Sequence, residues 1–233
     1  YGNDRARFQS FRDGFHNITF KAIKDDEVVD EKTAEFRTDS RDPRISRTEP
    51  RRGFASGIFN VEFTEDNPQE LILYYGNSIR NKTLDVQNEC TLDRTIYRCQ
   101  TEVNLEDFDG QEIKYWFELK DIIGNSDSSR ETMVDVDTTT PVLNNLETFW
   151  EQGEGRYQRY VYFDFNVTEL NFDEINYVDW NDSRPREIRI CSRLRDGICE
   201  VRRSFRTGEH NLTINILDEA GNYIQESIHF AIS

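Results

Sequence analysis

The sequence predicts an all-β fold of tandem sandwiches, because three observations agree. Motifs recur at about 96–98 residues, as when Asp39-Ser40-Arg41-Asp42-Pro43 returns as Asp137-Thr138-Thr139-Thr140-Pro141. Short segments alternate apolar and polar residues, and no stretch shows a sustained 3.6-residue apolar period. One immunoglobulin-like β-sandwich needs roughly 100 residues, which matches the repeat. The chain is therefore expected to be a string of similar immunoglobulin-like domains.

The first repeated element is a strand that follows a glycine. Gly14-Phe15-His16-Asn17-Ile18-Thr19 returns as Gly208-Glu209-His210-Asn211-Leu212-Thr213, and a weaker copy opens at Gly110. Every second residue after each glycine is apolar, which is typical of a strand with one buried face. The residues expected to face inward are Ile18, Phe20 and Ala22, then Ile113, Tyr115, Phe117 and Leu119, then Leu212, Ile214 and Ile216.

A turn, a last strand and a linker come next. The turns Asp121-Ile122-Ile123-Gly124-Asn125 and Asp218-Glu219-Ala220-Gly221-Asn222 begin with an aspartate that can accept backbone N–H groups. Their Gly-Asn pair supplies the positive φ that the turn needs. The first copy departs from this pattern at Lys24-Asp25-Asp26-Glu27. Each repeat ends at Asp-Ser/Thr-x-x-Pro, since proline cannot donate to a β-ladder.

The repeats divide the chain into two complete domains and part of a third. Residues 43–140 and 141–233 each hold a full set of strands, whereas residues 1–42 hold only the last two strands of a preceding domain. Two strands alone rarely stay folded in water, so the missing part is expected from upstream sequence or from another chain. A start at Tyr1 rather than Met indicates a processed product or a piece of something longer.

The four cysteines form two close pairs, Cys90 with Cys99 and Cys191 with Cys199, one in each complete repeat. The second pair encloses Asp196-Gly197, a hairpin signal, so the spacing predicts disulfides that join adjacent antiparallel strands near a turn. A zinc site would need closer cysteine pairs and usually histidines at metal spacing. Disulfides in turn predict an oxidising location outside the cytoplasm.

The charge and hydropathy of the chain exclude two classes of partner. The formal net charge is −16, whereas nucleic-acid binding needs a basic surface that displaces phosphate counterions. No apolar run is long enough to span a bilayer, and no signal peptide is recognisable. Aromatic residues make up 12% of a chain with only 36% hydrophobic residues, which indicates small folded cores under a very polar exterior.

Five Asn-x-Ser/Thr sequons predict N-glycosylation, where chance would give roughly two. Two of them occupy the same position of the repeat, which strengthens the case. The sequons are at Asn17, Asn81, Asn166, Asn181 and Asn211.

The residues that could carry chemistry do not form a catalytic motif. His16 and His210 occupy the same repeat position, which favours one structural role used twice, and His229 stands alone on a predicted strand. The sequence has no Gly-x-Ser-x-Gly elbow, phosphate loop or dinucleotide fingerprint. We therefore expect no enzyme activity and assign no catalytic, cofactor-binding or metal residue.

Calcium at the domain junctions stays an open alternative. Asp121, Asp135, Asp137 and Asp218 lie near the predicted junctions, where hard cations with oxygen ligands often stiffen tandem β-domains. Turn-forming aspartates explain the same positions without a metal.

Sugar binding is the second open ligand hypothesis. Trp116 is out of phase with the inward Tyr115 and Phe117, so it is expected to face outward, where an aromatic ring can stack on a sugar. Packing between domains explains the same residues without a ligand. The tryptophans concerned are Trp116, Trp150 and Trp180.

Together these motifs resemble the immunoglobulin-like repeats of archaeal cell-surface and S-layer proteins. The resemblance rests on Arg12-Asp13-Gly14-Phe15-His16-Asn17-Ile18-Thr19, the Asp-x-x-Gly-Asn turns and the Asp-Thr-Thr-Thr-Pro linker, and it covers essentially the whole chain. Such repeats serve as spacers, lattice units and adhesin stalks, so the resemblance implies a structural role at the cell surface. The copy at Gly110 lacks His-Asn-x-Thr, and glycosylation is not implied there.

The leading hypothesis is a structural segment of a glycosylated archaeal surface protein, in an S-layer or a long surface stalk. Its expected partners are other copies of itself, neighbouring surface proteins and N-linked glycans. One alternative is an extracellular filament subunit whose residues 1–42 complete a domain of a neighbouring chain by strand addition. The other is an adhesin that binds a cell-surface glycan or a partner cell.

Overall fold

β-Strands are the dominant secondary structure of the described chain. The computed structural model describes residues 10–233. Strands make up 61% and helix 4%, so the predicted all-β fold is confirmed. The strands form three consecutive groups, called here unit one (residues 10–38), unit two (residues 44–136) and unit three (residues 142–232). None of the helices in residues 10–233 has the length and apolar character needed to cross a membrane.

Unit one is a single antiparallel hairpin of two strands, β1 (Gly14–Lys24) and β2 (Glu27–Thr38). Asp25 and Asp26 form the turn between them, with φ of 53° and 63°. A two-residue hairpin turn of type I′ needs positive φ at both positions, which Asp and Asn accept more readily than most residues. Within residues 10–233 no second sheet packs on this hairpin, and Phe20 is 63% exposed.

Unit two contains two sheets. Its elements are β3 (Arg44–Glu49), β4 (Phe54–Ala55), β5 (Ile58–Thr64), β6 (Pro68–Gly76), β7 (Arg80–Leu84), helix α1 (Val86–Glu89), β8 (Cys90–Asp93), β9 (Ile96–Glu102), a 3₁₀ turn (Glu106–Phe108), β10 (Glu112–Asp121), β11 (Ser126–Ser128) and β12 (Thr132–Val136). One sheet has the order β3-β5-β9-β8. The other has the order β4-β12-β10-β6-β7, with β11 also paired to β10.

Unit three repeats this arrangement with fewer strands. Its elements are β13 (Val142–Leu143), β14 (Trp150–Gln152), a 3₁₀ turn (Gly155–Tyr157), β15 (Tyr160–Thr168), β16 (Phe172–Asp179), β17 (Glu187–Cys191), β18 (Ile198–Ser204), β19 (Gly208–Asp218) and β20 (Tyr223–Ile232). In the first sheet β13, β14 and β18 all pair with β15. The second sheet has the order β17-β16-β19-β20.

The strand order is that of an immunoglobulin-like sandwich. In unit two, β3-β5-β9-β8 corresponds to strands A, B, E and D of that fold, and β12-β10-β6 corresponds to G, F and C. In unit three, β15 and β18 take the places of B and E, and β20-β19-β16 those of G, F and C. Both units add a C′ strand beside C. The predicted tandem immunoglobulin-like architecture is therefore confirmed.

Each complete sandwich has its own hydrophobic core. The residues expected to face inward on β10 and β19 are all at most 1% exposed. Complete burial of one such side chain stabilises the folded state by roughly 1.5–3 kcal/mol. The largest buried side chains are Phe59, Phe63, Tyr115 and Phe117 in unit two, and Phe163, Phe165 and Ile175 in unit three.

Both predicted cysteine pairs are disulfide-bonded, but only one joins adjacent strands. Cys90 and Cys99 lie directly opposite each other on β8 and β9, within one sheet. Cys191 ends β17, whereas Cys199 lies on β18 in the other sheet, so this disulfide crosses the sandwich. The prediction that the disulfide joins adjacent strands was wrong for the second pair, because the chain passes from one sheet to the other between the two cysteines. The Asp196-Gly197 turn forms, yet it leads only into strand β18.

Removing the cross-sheet disulfide should destabilise unit three alone. In the chain-entropy model the Cys191→Ser/Cys199→Ser double variant loses about 2–3 kcal/mol of unfolding free energy. Because the two cores are separate, amide hydrogen exchange should quicken in unit three and stay unchanged in unit two. The Cys90→Ser/Cys99→Ser variant is the matched control and should show the reverse. Equal loss of protection in both units from either variant would contradict independent cores.

Candidate functional site

Two clusters of buried and half-buried carboxylates lie where consecutive units meet. In each cluster three carboxylate oxygens, one from each residue, lie within 4.8 Å of one another. The first cluster is Asp39, Glu65 and Asp121, and the second cluster is Asp137, Glu169 and Asp218.

The two clusters arise from the same three segments of the repeat. A linker aspartate follows the last strand of one unit directly. A Glu-x-Asn segment follows strand B of the next unit, and an aspartate ends strand F and opens the Asp-x-x-x-Asn turn. Strand C begins at this end of the sandwich, since Asp121 pairs with Pro68 at the start of β6. The topology therefore brings segments far apart in sequence to one end of the unit.

Asparagines hold the second cluster. Asn171 donates from Nδ2 to Asp137 Oδ2 over 2.6 Å and from its backbone N–H to Glu169 Oε1 over 2.8 Å. Asn222 donates from Nδ2 to Asp218 Oδ2 over 2.7 Å and from its backbone N–H to Asp218 Oδ1 over 2.8 Å. Hydrogen bonds to ionised acceptors are stronger than neutral ones, which is how amide donors can keep carboxylates buried.

The first cluster makes the same four contacts. Asn67 Nδ2 donates to Asp39 Oδ2 over 2.9 Å, and the Asn67 backbone N–H donates to Glu65 Oε1 over 2.7 Å. Asn125 donates from Nδ2 to Asp121 Oδ2 over 2.7 Å and from its backbone N–H to Asp121 Oδ1 over 2.8 Å. The internal repeat thus extends to individual side-chain contacts. These asparagines belong to the site as much as the acids do.

Asp137 makes hydrogen bonds to both unit two and unit three. Its neighbour Val136 is buried in the core of unit two, and the Asp137 backbone N–H donates to the Ala55 carbonyl of unit two over 3.1 Å. The Asp137 carbonyl accepts from Asn222 Nδ2 of unit three over 2.9 Å, and its carboxylate accepts from Asn171. Asp137 is therefore hydrogen-bonded to both sandwiches at once.

In the first cluster the acids repel one another. Burial raises the pKa of Glu65 above its ordinary value of 4.5, and the charges of Asp39 and Asp121 raise it further. The hydrogen bond from the Asn67 backbone N–H acts in the opposite direction without cancelling these effects. The ionised form of Glu65 is therefore less favoured in the folded protein than in water.

The second cluster contains carboxylates with opposite tendencies. Burial raises the pKa of Asp218, although two hydrogen bonds from Asn222 oppose the shift. Burial acts on Asp137 in the same direction, but hydrogen bonds from Asn171 and Thr139 outweigh it and lower the pKa of Asp137 below 3.8. The ionised form is accordingly more favoured for the linker residue Asp137 than for Asp218.

These oxygens are of the type that hard cations such as Ca²⁺ take as ligands, although amide donors already engage them. Of the four aspartates expected near junctions, Asp121, Asp137 and Asp218 belong to the clusters. Asp135 does not, because it lies on β12 at a position that alternates with buried residues and faces solvent.

Sequence reasoning missed three members of the clusters. Asp39 is the repeat partner of Asp137, so the linker motif already contained the signal. Glu65 and Glu169 each stand two residues before an asparagine and directly after strand B. That Glu-x-Asn pattern is too short to stand out in a chain with 45 acidic residues.

The repeat-equivalent histidines are built into the sandwich. His210 Nε2 lies 2.9 Å from the Arg206 carbonyl oxygen, and Nδ1 lies 2.6 Å from Asp179 Oδ2. Its ring contacts those of Phe205 and Phe230, with centroids 5.0 and 5.2 Å away. The side chain joins strand F to strands C and G.

His16 repeats most of these contacts in unit one. Its Nε2 lies 2.5 Å from the Arg12 carbonyl oxygen, and its ring packs on Phe11 and Phe36 with centroids 5.1 and 5.4 Å away. The two histidines therefore occupy the same structural position. His229 instead forms an exposed pair with Glu209, with Nε2 3.2 Å from Oε2.

The three tryptophans lie in separate places. Trp116 faces outward on β10 and stacks on Tyr74, with ring centroids 5.0 Å apart. Trp150 packs against Phe230 at the edge of the unit three core. Trp180 is exposed in the turn after β16 and donates from Nε1 to Thr213 Oγ1. They do not form one shared platform for a sugar.

The five sequon asparagines all lie on exposed positions. They are Asn17 on β1, Asn81 on β7, Asn166 on β15, Asn181 in the turn after β16, and Asn211 on β19. In the contacts described for residues 10–233, Asn181 alone of the five uses the nitrogen to which a glycan would be attached, because its Nδ2 donates to the Glu209 carbonyl over 3.1 Å. Glycosylation of the five sites stays a prediction.

Comparison with known proteins gives no sequence relative. No family model matches the chain, and no curated protein matches it. Several solved structures are similar in shape. One is the FN1-FN3 domains of chicken CNTN1, 11% identical with a TM-score of 0.49, where the match covers 92% of this chain and 77% of that one. The fibronectin(III)-like modules of Clostridium thermocellum CbhA are 12% identical with a TM-score of 0.39, covering 82% and 94%. The Ig1-2 module of Drosophila receptor protein tyrosine phosphatase DLAR is 15% identical with a TM-score of 0.29, covering 83% and 100%.

Neutralising Glu65 should stabilise the protein at neutral pH. A raised pKa means that the stabilising contribution of Glu65 is fully present below its unfolded value, near 4.5, and is lost as pH rises through the folded value. Glu65→Gln keeps an acceptor for Asn67 and adds a donor toward Asp39 and Asp121. We expect an unfolding free energy about 1 kcal/mol higher than wild type at pH 7.5, and a smaller difference at pH 4.

Urea unfolding in EDTA at both pH values measures this difference. Glu147→Gln is the control, since it removes the same charge from an exposed position outside the clusters. Repeating the titration in CaCl₂ reports on cation binding, because a bound cation would stabilise wild type more than Glu65→Gln. A Glu65→Gln variant that is less stable than wild type in EDTA at pH 7.5 would contradict the repulsion argument.

Proposed function

We propose that this chain is a structural segment of an extracellular glycoprotein, in which tandem sandwiches set a fixed spacing within a surface layer or stalk. The observation that carries the proposal is the bridging role of Asp137. Its backbone N–H is bonded to unit two, while its carboxylate and carbonyl are bonded to unit three. A linker residue that is bonded to both sandwiches transmits orientation and force from one to the next.

The surface supports a hydrated, extracellular setting. Net charge of −16 on 233 residues gives mutual repulsion and solubility. The two disulfides favour an oxidising compartment, and the exposed sequons offer sites for glycans. The motif resemblance to archaeal surface and S-layer repeats points the same way, and an S-layer or stalk is the setting we infer.

A filament built by strand addition is the second candidate. The observation in its favour is unit one, where a two-stranded hairpin leaves an apolar face without a covering sheet among residues 10–233. Strand β1 takes the place of strand F, so its free edge is the one that a C strand would pair with. In the third candidate, an adhesin, the outward Tyr74–Trp116 stack would contact a glycan.

Loosening the second cluster should free unit three from unit two. The Asn171→Ala/Asn222→Ala double variant leaves Asp137 without its side-chain donors from unit three, so the two sandwiches should reorient independently. Residual dipolar couplings measure this: we expect one common alignment tensor in wild type and two different tensors in the variant. Asn144→Ala is the control, because Asn144 Nδ2 makes its contacts within unit three. Independent alignment in the wild-type chain would refute a fixed spacing.

Glycan occupancy should follow the availability of the side-chain nitrogen. Glycopeptide mass spectrometry on protein from its native source should find glycans at Asn17, Asn81, Asn166 and Asn211, with the lowest occupancy at Asn181, where Nδ2 is already hydrogen-bonded. Unmodified asparagine at all five sites would remove the glycoprotein part of the proposal without affecting the spacing argument.

A further inference from the structure

A group of unpaired arginines lies at the far end of unit three. We call it the arginine pole and define it as Arg156, Arg159 and Arg202. All three are exposed, and within residues 10–233 none comes within 4.0 Å of a carboxylate, whereas Arg80, Arg98 and several others do. Arginines without a carboxylate partner are common among residues 10–233, so the informative feature is that these three gather at one place in a chain of net charge −16.

Tyrosine rings hold the arginine pole in place. The guanidinium carbon of Arg156 lies 4.8 Å from the ring centroid of Tyr157. Those of Arg159 and Arg202 lie 4.9 and 4.6 Å from the centroid of Tyr160. Arg159 Nη2 also donates to the Tyr160 hydroxyl over 2.8 Å. Stacking orients a guanidinium but leaves its N–H groups free for bidentate pairing with carboxylates.

The arginine pole borders an open cleft of about 650 Å³. Arg156, Arg159 and Arg206 line it together with Gln158 and Phe205. It lies beside the end of strand G, since Gln158 Nε2 donates to the Ser233 carbonyl over 2.9 Å. The cleft therefore faces away from unit two.

The junction between units two and three shows which kind of surface an arginine-bearing end of a sandwich faces. The connection that leads into strand B carries Arg51 and Arg52 in unit two, as the corresponding connection carries Arg156 and Arg159 in unit three. Arg51 and Arg52 line a cleft together with Asp173, Asp218 and Glu219 of unit three. An arginine-bearing end here faces the acidic turn between strands F and G of the next sandwich.

The chain also presents a free acidic turn of this kind. Lys24-Asp25-Asp26-Glu27 connects β1 and β2, which are strands F and G of unit one, so it corresponds to the turn that begins at Asp218. All four residues are exposed. Unit one therefore presents exposed acidic side chains, and unit three presents exposed arginines.

We propose that a second copy of this chain docks its acidic β1–β2 turn on the arginine pole, so that copies associate head to tail. This goes beyond the proposed spacing role, because it concerns contacts between chains and would hold or fail independently of it. The contact is heterologous, and repetition of it gives open linear assemblies rather than closed rings. Attraction between opposite ends must outweigh the general repulsion between acidic chains, so it should strengthen as salt is lowered.

Sedimentation velocity of the full chain tests the proposal. We expect concentration-dependent association at about 0.02 M salt and monomers at about 0.5 M salt. Arg156→Gln/Arg159→Gln should weaken association at low salt by about tenfold or more. Arg193→Gln/Arg195→Gln is the matched control, since it removes two exposed arginines of unit three that do not line the cleft. Circular dichroism checks that the variants stay folded.

Variants of the acidic turn test the other side of the contact. Asp25→Asn/Asp26→Asn removes two charges while keeping residues that tolerate positive φ, and it should weaken association as much as the arginine variant does. Association that strengthens with salt, or that neither variant changes, would overturn the proposal. So would a chain that remains monomeric at low salt yet binds dextran sulfate through Arg156 and Arg159, which would assign the pole to polyanions instead.

Discussion

The structure depends on one constraint: a buried carboxylate must find hydrogen-bond donors wherever the chain passes from one sandwich to the next. Asp137 is only 6% exposed, and burying such a charge without donors is strongly unfavourable. Its side-chain donors include Asn171 of unit three, whereas its own backbone N–H is bonded to Ala55 of unit two. Satisfying this residue requires both sandwiches to be in place, so a local electrostatic requirement sets the geometry between domains.

Apart from the linker aspartate, every member of each cluster belongs to the unit that follows the junction. Asp39 is held by Asn67 of unit two, although unit one is only a hairpin in the described chain. A junction of this type therefore needs the last strand of the preceding unit but not its whole sandwich. Each sandwich carries the residues that bind the linker aspartate of the preceding unit. This explains why the repeats share short motifs at fixed spacing rather than long stretches of similar sequence.

The sequence predicts the sandwiches well because apolar and polar residues alternate along a strand that has one buried face. Residues such as Phe117 and Leu119 must lie on one face once the segment is extended, whatever the neighbouring strands are. The connection between Cys191 and Cys199 is different. Their spacing gives the length of the loop but not the sheet to which each flanking strand belongs, and that depends on pairings with β16 and β15 elsewhere in the chain. The disulfide pairing was therefore predictable and its path across the sandwich was not.

The junction clusters lie between these two cases. Asp137 and Asp218 stand in local motifs whose turn chemistry can be read directly, whereas Glu65 acquires its role only where strands B and F end beside the start of strand C. Its raised pKa is largely a property of that assembly, because burial raises it most and the charges of Asp39 and Asp121, 26 and 56 positions away in sequence, add to the shift. Local reading finds residues that form turns. It does not find residues whose chemistry depends on neighbours that the fold brings close. In a chain this acidic, those neighbours determine which buried carboxylates have a raised pKa, as Glu65 does, and which are held ionised between the sandwiches, as Asp137 is.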